Sequence, residues 1–418
     1  MNRFVVAGTT ILVLTAGTGL VAGMDSSLSP GRAVAHTQPP TLSAGESRGL
    51  AYLIGKQMPN GGWSEGEESA HMRSTNHMNM KETANVADTA MAALAVLRCG
   101  NYPNKGTYAA NLTRAAEFVC QSIEAADPES LYVTDIRGTR LQSKLGPYID
   151  TFLAAQFLSE IIGQMPDEKK NKQVQAALHK VIKKIERHQG EDGQWAGAGW
   201  APVHSQAIAT RALNRASQAG IAVNESTLKR AEAYAKQSYD SKTGNFAAEG
   251  SAGVPLYAAG AALGALQESI NTNKQKAGDL KKILASKSTS NEAKRRARDE
   301  LQRFADAEKS QGMAISAVTK KFSDDRFVSG FGCNGGEEFL SYLNISETLL
   351  VSHSTDWPGW NDRITANLSH VQQDDGSWMG HHCITSRTFC TAAALMVLTV
   401  DCSPTLQAAA KATTRRKA

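Results

Sequence analysis

"YLIGKQMPNGGW" (52–63), "KIERHQGEDGQW" (184–195) and "NLSHVQQDDGSW" (367–378) are three copies of one pattern, and their reading decides the fold. Each has a glutamine (Gln57, Gln189, Gln372), a glycine four residues later (Gly61, Gly193, Gly376) and a tryptophan two beyond that (Trp63, Trp195, Trp378). An apolar residue, Leu53, Ile185 or Leu368, stands four before each glutamine. Physically, each copy reads as a helix ending. Glycine takes the left-handed conformation that stops the helix, and the aromatic folds back over the last turn. A weaker copy, "YAKQSYDSKTGNF" (234–246), keeps Gln237 and Gly244 across a longer gap and ends on Phe246.

Segments of small and apolar residues recur along the chain, at 86–97, 148–162, 204–218, 254–268, 337–351 and 386–400. Helices apolar nearly all round are buried ones. Between them lie amphipathic, charged stretches at 45–57, 106–123, 171–188, 226–238 and 361–372, with one more around 299–321. Six inner helices alternating with six outer ones predict an all-α fold, an α/α toroid (α6/α6 barrel). A closed ring of repeats needs no capping units.

On these Gln/Gly/Trp turns, the QW repeats of that family, the chain resembles the terpenoid cyclase and protein prenyltransferase superfamily, including squalene-hopene cyclases and prenyltransferase β subunits. The resemblance covers roughly residues 45–402. It implies the toroid more specifically than any one activity, because this fold hosts several chemistries.

The 418 residues suffice for one large domain, and 41% apolar content supports a substantial core. The net charge of +5 is unevenly placed. Residues 268–309 hold eleven Lys/Arg against seven Asp/Glu, and the tail 403–418 adds Lys411, Arg415, Arg416 and Lys417 with no acid, which leaves the rest slightly acidic. A nucleic-acid groove needs its basic excess on the folded body, so no nucleic-acid partner is expected. Both basic segments read as solvated appendages. Residues 403–418 form a basic disordered tail, and 268–312 is an inserted charged helical hairpin. Its arms carry the stripes Leu280, Ile283, Leu284 and Ala297, Leu301, Phe304, and a protein partner through it is the functional alternative. At the other end, Arg3 and the apolar run Phe4–Ala22 make 1–35 a signal peptide or an N-terminal anchor, followed by a linker at 36–44. The folded part is then exported, with membrane contact only through an uncleaved N-terminus, and its six cysteines meet an oxidising compartment.

Three chemistries carried by such rings can be compared with the residues. Resemblance to squalene-hopene cyclases implies an Asp-x-Asp-Asp-Thr-Ala acid motif. Here "NVADTA" (85–90) keeps Asp88, Thr89 and Ala90, but Asn85 and Ala87 replace two carboxylates. The oxidosqualene form, Asp-Cys-Thr-Ala, is met by "FCTA" with Phe389 in place of the acid. The 6% aromatic content also weakens carbocation chemistry. Resemblance to zinc prenyltransferases puts Cys390 near a ligand position, yet no Asp-x-Cys pair precedes it. An internal thioester at Cys333 needs a Gln three residues on, where Gly336 stands.

What remains is the rim where inner helices begin, with its free N–H groups and positive dipole ends. "GFGCNGGEEF" (330–339) and "GSWMGHHCITSRTFC" (376–390) precede the last two inner helices and should lie side by side. Glu337, Glu338, His382 and Asp88 are the candidate catalytic residues. Cys333, Asp150, His204, Tyr257, His381 and Cys390 are candidate ligand contacts. Two readings of the loops stand: a zinc-like divalent metal held by His381, His382 and Cys383, or a Cys333–Cys383 disulfide. The bland reading of each lone residue is a helix cap or a core hydrogen-bond partner. The expected function is an exported cyclase/prenyltransferase-like ring binding an apolar, isoprenoid or peptide ligand in its central cavity. The alternative is a non-catalytic interaction module.

Overall fold

A computed structural model describes residues 40–69, 72, 80–332 and 334–417. The expected signal segment, most of the linker and Cys333 lie outside the described residues. Among the described residues no helix is long and apolar enough to cross a membrane.

The fold is all-α apart from one small hairpin, Tyr239–Asp240 (β1) paired antiparallel with Asn245–Phe246 (β2). Six core helices correspond to the small-residue segments: α2 (Val86–Arg98), α5 (Ile149–Ile161), α7 (Val203–Gln218), α9 (Pro255–Ala285), α12 (Gly336–Ser352) and α14 (Arg387–Leu398). Six amphipathic helices cover them: α1 (Ala44–Gly55), α3 (Ala109–Ala125), α6 (Glu168–Arg187), α8 (Glu225–Gln237), α10 (Asn291–Thr319) and α13 (Trp357–Val371). Two short helices, α4 (Arg140–Leu145) and α11 (Asp325–Val328), and the C-terminal α15 (Pro404–Lys417) complete the set. The core helices neighbour one another in the order α2, α5, α7, α9, α12, α14, and α14 packs back on α2.

The three tryptophan turns share one set of hydrogen bonds. The indole N–H donates to the carbonyl ten residues earlier: Trp63 to Leu53 (2.7 Å), Trp195 to Ile185 (2.7 Å) and Trp378 to Leu368 (2.8 Å). The glutamine amide donates to the turn glycine's carbonyl, at 2.8 Å for Gln57, 3.1 Å for Gln189 and 2.8 Å for Gln372. It also donates to a carbonyl on another amphipathic helix: Asn111 of α3, Thr227 of α8 and Gly45 of α1, respectively. Three residues beyond each of those carbonyls an arginine (Arg114, Arg230, Arg48) donates back to the glutamine oxygen. The glycines sit at φ between +86° and +88°. A Cβ on Gly193 would lie 2.3 Å from the Arg230 carbonyl, so neither the backbone angle nor the space admits another residue. The copy at 234–246 departs from this set, for it forms the β1–β2 hairpin, with Tyr239 packed on Phe246.

Both basic segments differ from their expected form. The hairpin is not inserted between elements. It is the uninterrupted continuation of α9 and α10, joined at 286–290. It is not merely solvated either, since Ala277, Ala297, Phe304 and Ala307 are buried. Asn273 donates to Glu232 (2.7 Å), and Arg303 pairs with the same carboxylate. The tail is helical rather than disordered. Leu406 is buried, Thr405 donates to Glu160 (3.2 Å), and His353 contacts the Ala410 carbonyl (2.8 Å).

The core helices pack closely on one another, and every residue is buried over 86–97, 203–216, 256–273 and 336–349. At the end where the core helices finish, an ion-pair network crosses the bundle. Glu347 meets Arg98 (2.7 Å) and Arg211 (2.6 Å), while Arg215 meets Glu268 (2.6 Å) and Glu160 (3.2 Å). Three arginines balance three glutamates, which is the condition for keeping buried charges ionised.

The tryptophan turns are the repeat's main closures, so trimming one should be costly. Trp195→Ala is expected to lower stability by about 3–5 kcal/mol through lost packing. Trp195→Phe, which strands the Ile185 carbonyl, should cost about 1–3 kcal/mol. Guanidinium unfolding midpoints of the two variants against the parent check both.

Candidate functional site

Each core helix that follows a tryptophan turn is anchored by its own first residues. The Trp63 N–H donates to Thr89 Oγ1 (2.8 Å), the Trp378 N–H to Thr391 Oγ1 (3.0 Å) and the Trp195 N–H to Gln206 Oε1 (3.0 Å). The threonines of the "DTA" and "CTA" triplets therefore hold turns. The residues just before them, Asp88 and Cys390, are set into the layer where the core helices begin. Asp150, His204, Tyr257, Glu337 and Glu338 occupy the equivalent first turn of the other core helices, and all are buried.

Asp88, Asp150 and Glu65 form one half of this layer. Asp88 and Asn85 bond reciprocally, N–H to Oδ1 at 2.9 Å and Nδ2 to Oδ2 at 2.8 Å, while Asp88 Oδ1 has no hydrogen-bond partner. Asp150 accepts from the Ala87 N–H (3.0 Å) and from Gln142 Nε2 (2.8 Å), capping α2 from α5. Glu65 accepts from the Arg140 N–H, and the Arg140 guanidinium is held by Glu68 at 2.6 Å. Desolvation pushes the Asp88 carboxyl well above its ordinary range, with Glu65 adding to the shift. It also raises Asp150, and carries Glu65 up to about 7. Asp88 thus serves as part of a helix cap and as a buried acid shifted upward by desolvation. Glu65, Glu68 and Arg140 carry no motif; only the fold brings this loop and α4 to the start of α2.

The other half centres on Glu338. Its Oε1 accepts from the Tyr257 hydroxyl (2.5 Å) and from the Phe331 N–H (3.0 Å). Its Oε2 lies 3.6 Å from His382 Nε2, outside hydrogen-bond range, and has no hydrogen-bond donor. Gly330 is required here, because a Cβ on it would stand 2.6 Å from Glu338 Oε1. Glu337 accepts from the Ile384 N–H (3.2 Å) through Oε2, and its Oε1 has no hydrogen-bond partner. Both glutamates are 0% exposed. Burial, with Glu338 alongside, pushes Glu337 up to about 8, and burial raises Glu338 despite its hydrogen bonds. His204 packs on the Tyr257 ring with centroids 5.2 Å apart, and desolvation lowers it to about 3.

Above Glu338 the surface turns aromatic. The Phe331 ring meets His382 edge-on at 5.1 Å and Trp200 at 5.8 Å. Phe331 is 52% exposed and Trp200 39%, and Lys144 Nζ lies 5.5 Å from the Trp200 ring centre. Nothing in the sequence singled out Trp200, which lies five residues beyond the Trp195 turn.

The loop residues do not assemble as a metal centre. His381 is exposed, and its N–H donates to the Asn334 carbonyl (2.7 Å), whereas His382 turns inward to Glu338. Cys383 is a buried free thiol at φ +56°, a strained angle for a non-glycine residue. Burial, reinforced by Glu337, pushes it up to about 12. Cys390 donates to the Ile384 carbonyl (3.4 Å) and is likewise held protonated by burial. Metal ligation requires thiolate. Among the described residues no three His, Cys, Asp or Glu side chains converge to hold an ion. The other half of the anticipated Cys333–Cys383 disulfide is outside the described residues.

Glu338, Tyr257, His204 and His382 are thus brought together, with Glu337 and Cys390 beside them, while His381 is exposed. In comparisons with known proteins, the chain matches no family model and no curated relative.

Carboxyls raised in the fold bind protons more tightly than in the unfolded chain. Their stabilisation is therefore complete at low pH and is lost as pH rises through the folded value. For Glu65 the loss ends near 7 and for Glu337 near 8. His204, lowered to about 3, has the opposite dependence, but only below the ordinary histidine value of about 6.5. Between pH 6.5 and 8 the carboxyls act alone. Stability should fall across that window by up to about 1.4 kcal/mol per pH unit for each proton released. Melting curves at stepped pH should show this fall, and Glu337→Gln should flatten it.

Proposed function

We propose that the chain is an α/α toroid, diverged from the cyclase/prenyltransferase type, whose working site is its rim rather than its axis. The cyclic order of the core helices supports the ring, and their burial argues against an axial ligand. The observation that carries the functional reading is the Glu338–His382 contact, with the exposed Phe331 ring against His382 and Trp200 against Phe331. A carboxyl buried against a partly exposed imidazole is an acid–base pair with one member open to solvent. Glu338, anchored by Tyr257 and the Phe331 N–H, orients His382. His382 exchanges the proton with a ligand group, and neutral Glu337 lies alongside as a second acid. The aromatic rings supply the contact for an apolar portion of the ligand, isoprenoid or peptide side chain.

One observation favours a second reading. The filled bundle and the charge-balanced far end suit a rigid platform, on which the same aromatic surface would meet a protein partner without chemistry.

The two readings separate on variants of the exported chain, assayed with farnesol, geraniol and hydrophobic tripeptides by native mass spectrometry and product analysis. Phe331→Ala is expected to weaken binding about tenfold, or about 1.4 kcal/mol. His382→Ala should leave binding in place and abolish turnover. Wild-type affinity in Phe331→Ala sinks the rim as the site, and unchanged turnover in His382→Ala sinks the acid–base assignment.

A further inference from the structure

The two ends of the core-helix bundle treat buried carboxylates differently. At the far end, Glu160, Glu268 and Glu347 each meet an arginine. At the rim, Glu337 and Glu338 are fully buried, and Glu337 Oε1 and Glu338 Oε2 have no hydrogen-bond donor. The Arg140 guanidinium, whose charge reaches Cys383, is held by Glu68. Buried polar atoms lacking a partner are rare in folded proteins and call for an explanation, an unseen bound group among them. The group missing here is a donor, and a cationic one suits a carboxylate best.

The surroundings narrow the kind of cation. No three metal-capable side chains converge among the described residues, which disfavours an inorganic ion. Beside Glu338 Oε2 stands His382; the Phe331 ring packs on His382 and Trp200 on Phe331, and aromatic faces attract a positive charge. Lys144 already rests over Trp200, so that ring does take an ammonium group. Gly335 packs directly against the pair: an added Cβ would come within 2.9 Å of Glu338 Oε2 and 3.1 Å of His382 Cε1.

We propose that the rim recognises a primary amine carried on an apolar or aromatic body, with Glu338 as counter-ion and Phe331 and Trp200 as the wall against which the body rests. The N-terminal residue of a peptide is one such group. This rests on the rim reading above and names its ligand class. Binding completes the hydrogen bonding of Glu338 Oε2 and matches the charge pairing of the opposite end. The ammonium lies next to His382.

Three probes of nearly equal shape test the charge: phenethylamine, 2-phenylethanol and 3-phenylpropionate, titrated calorimetrically against the whole protein. The amine should bind at least tenfold more tightly than the alcohol, and the carboxylate should bind most weakly. Glu338→Gln, with its fold checked by circular dichroism, should remove the preference for amine over alcohol. Should that variant fail to fold, the ranking on the wild-type protein still decides. Equal binding of amine and alcohol, or stronger binding of the carboxylate, overturns the amine assignment and leaves the rim site standing. If none of the three binds, the rim reading and this inference fall together.

Discussion

The glutamine carboxamide of the tryptophan turn is the contact on which the rest of this structure depends. It has two faces, and both are used. The amide nitrogen closes its own turn and reaches a carbonyl on another amphipathic helix, while the oxygen accepts an arginine from that same helix. One side chain thus fixes where a helix stops and which helix lies beside it. In the third copy Gln372 makes these bonds to Gly45 and Arg48, so the last amphipathic helix is fastened to the first. The tryptophan then ties the turn to the following core helix through its backbone N–H. Local helix termination and long-range closure come from the same few atoms.

That linkage has a chemical consequence. Because the turns set where core helices begin, they place a row of first-turn side chains in one buried layer. Carboxyls there sit near helix N-termini, which favours their charged form, but desolvation outweighs this and raises them above their ordinary range. The far end shows the contrast. Glu347, flanked by Arg98 and Arg211, is lowered below the ordinary range despite equal burial. Burial is common to both ends; the compensating cation is not. One end therefore behaves as structure, and the other holds acids with proton-binding capacity near neutral pH.

Resemblance to cyclases invites a proton donor at Asp88, and the structure gives Asp88 another occupation. Its reciprocal bonds with Asn85 cap α2. The partly exposed side chain at this end is instead His382, which lies against the buried Glu338 and the Phe331 ring.

The sequence by itself determined the elements. Gln-x3-Gly-x-Trp marks helix ends because only glycine accepts that angle in that space, and the small-residue segments mark the core because they are apolar on every face. It also showed that Glu337, Glu338, Asp150, His204 and Tyr257 stand in helix first turns, since position in a helix is a local property. It did not show that the 268–312 arms continue α9 and α10, nor that the basic tail docks, because both depend on surfaces supplied by distant segments. Only the tertiary structure decided which polar residues meet. Glu338 lies 81 residues from Tyr257 and 44 from His382, and Glu65 lies 75 from Arg140. Electrostatic state follows from such neighbours and from the exclusion of water, and neither is encoded within a turn or two of the residue concerned.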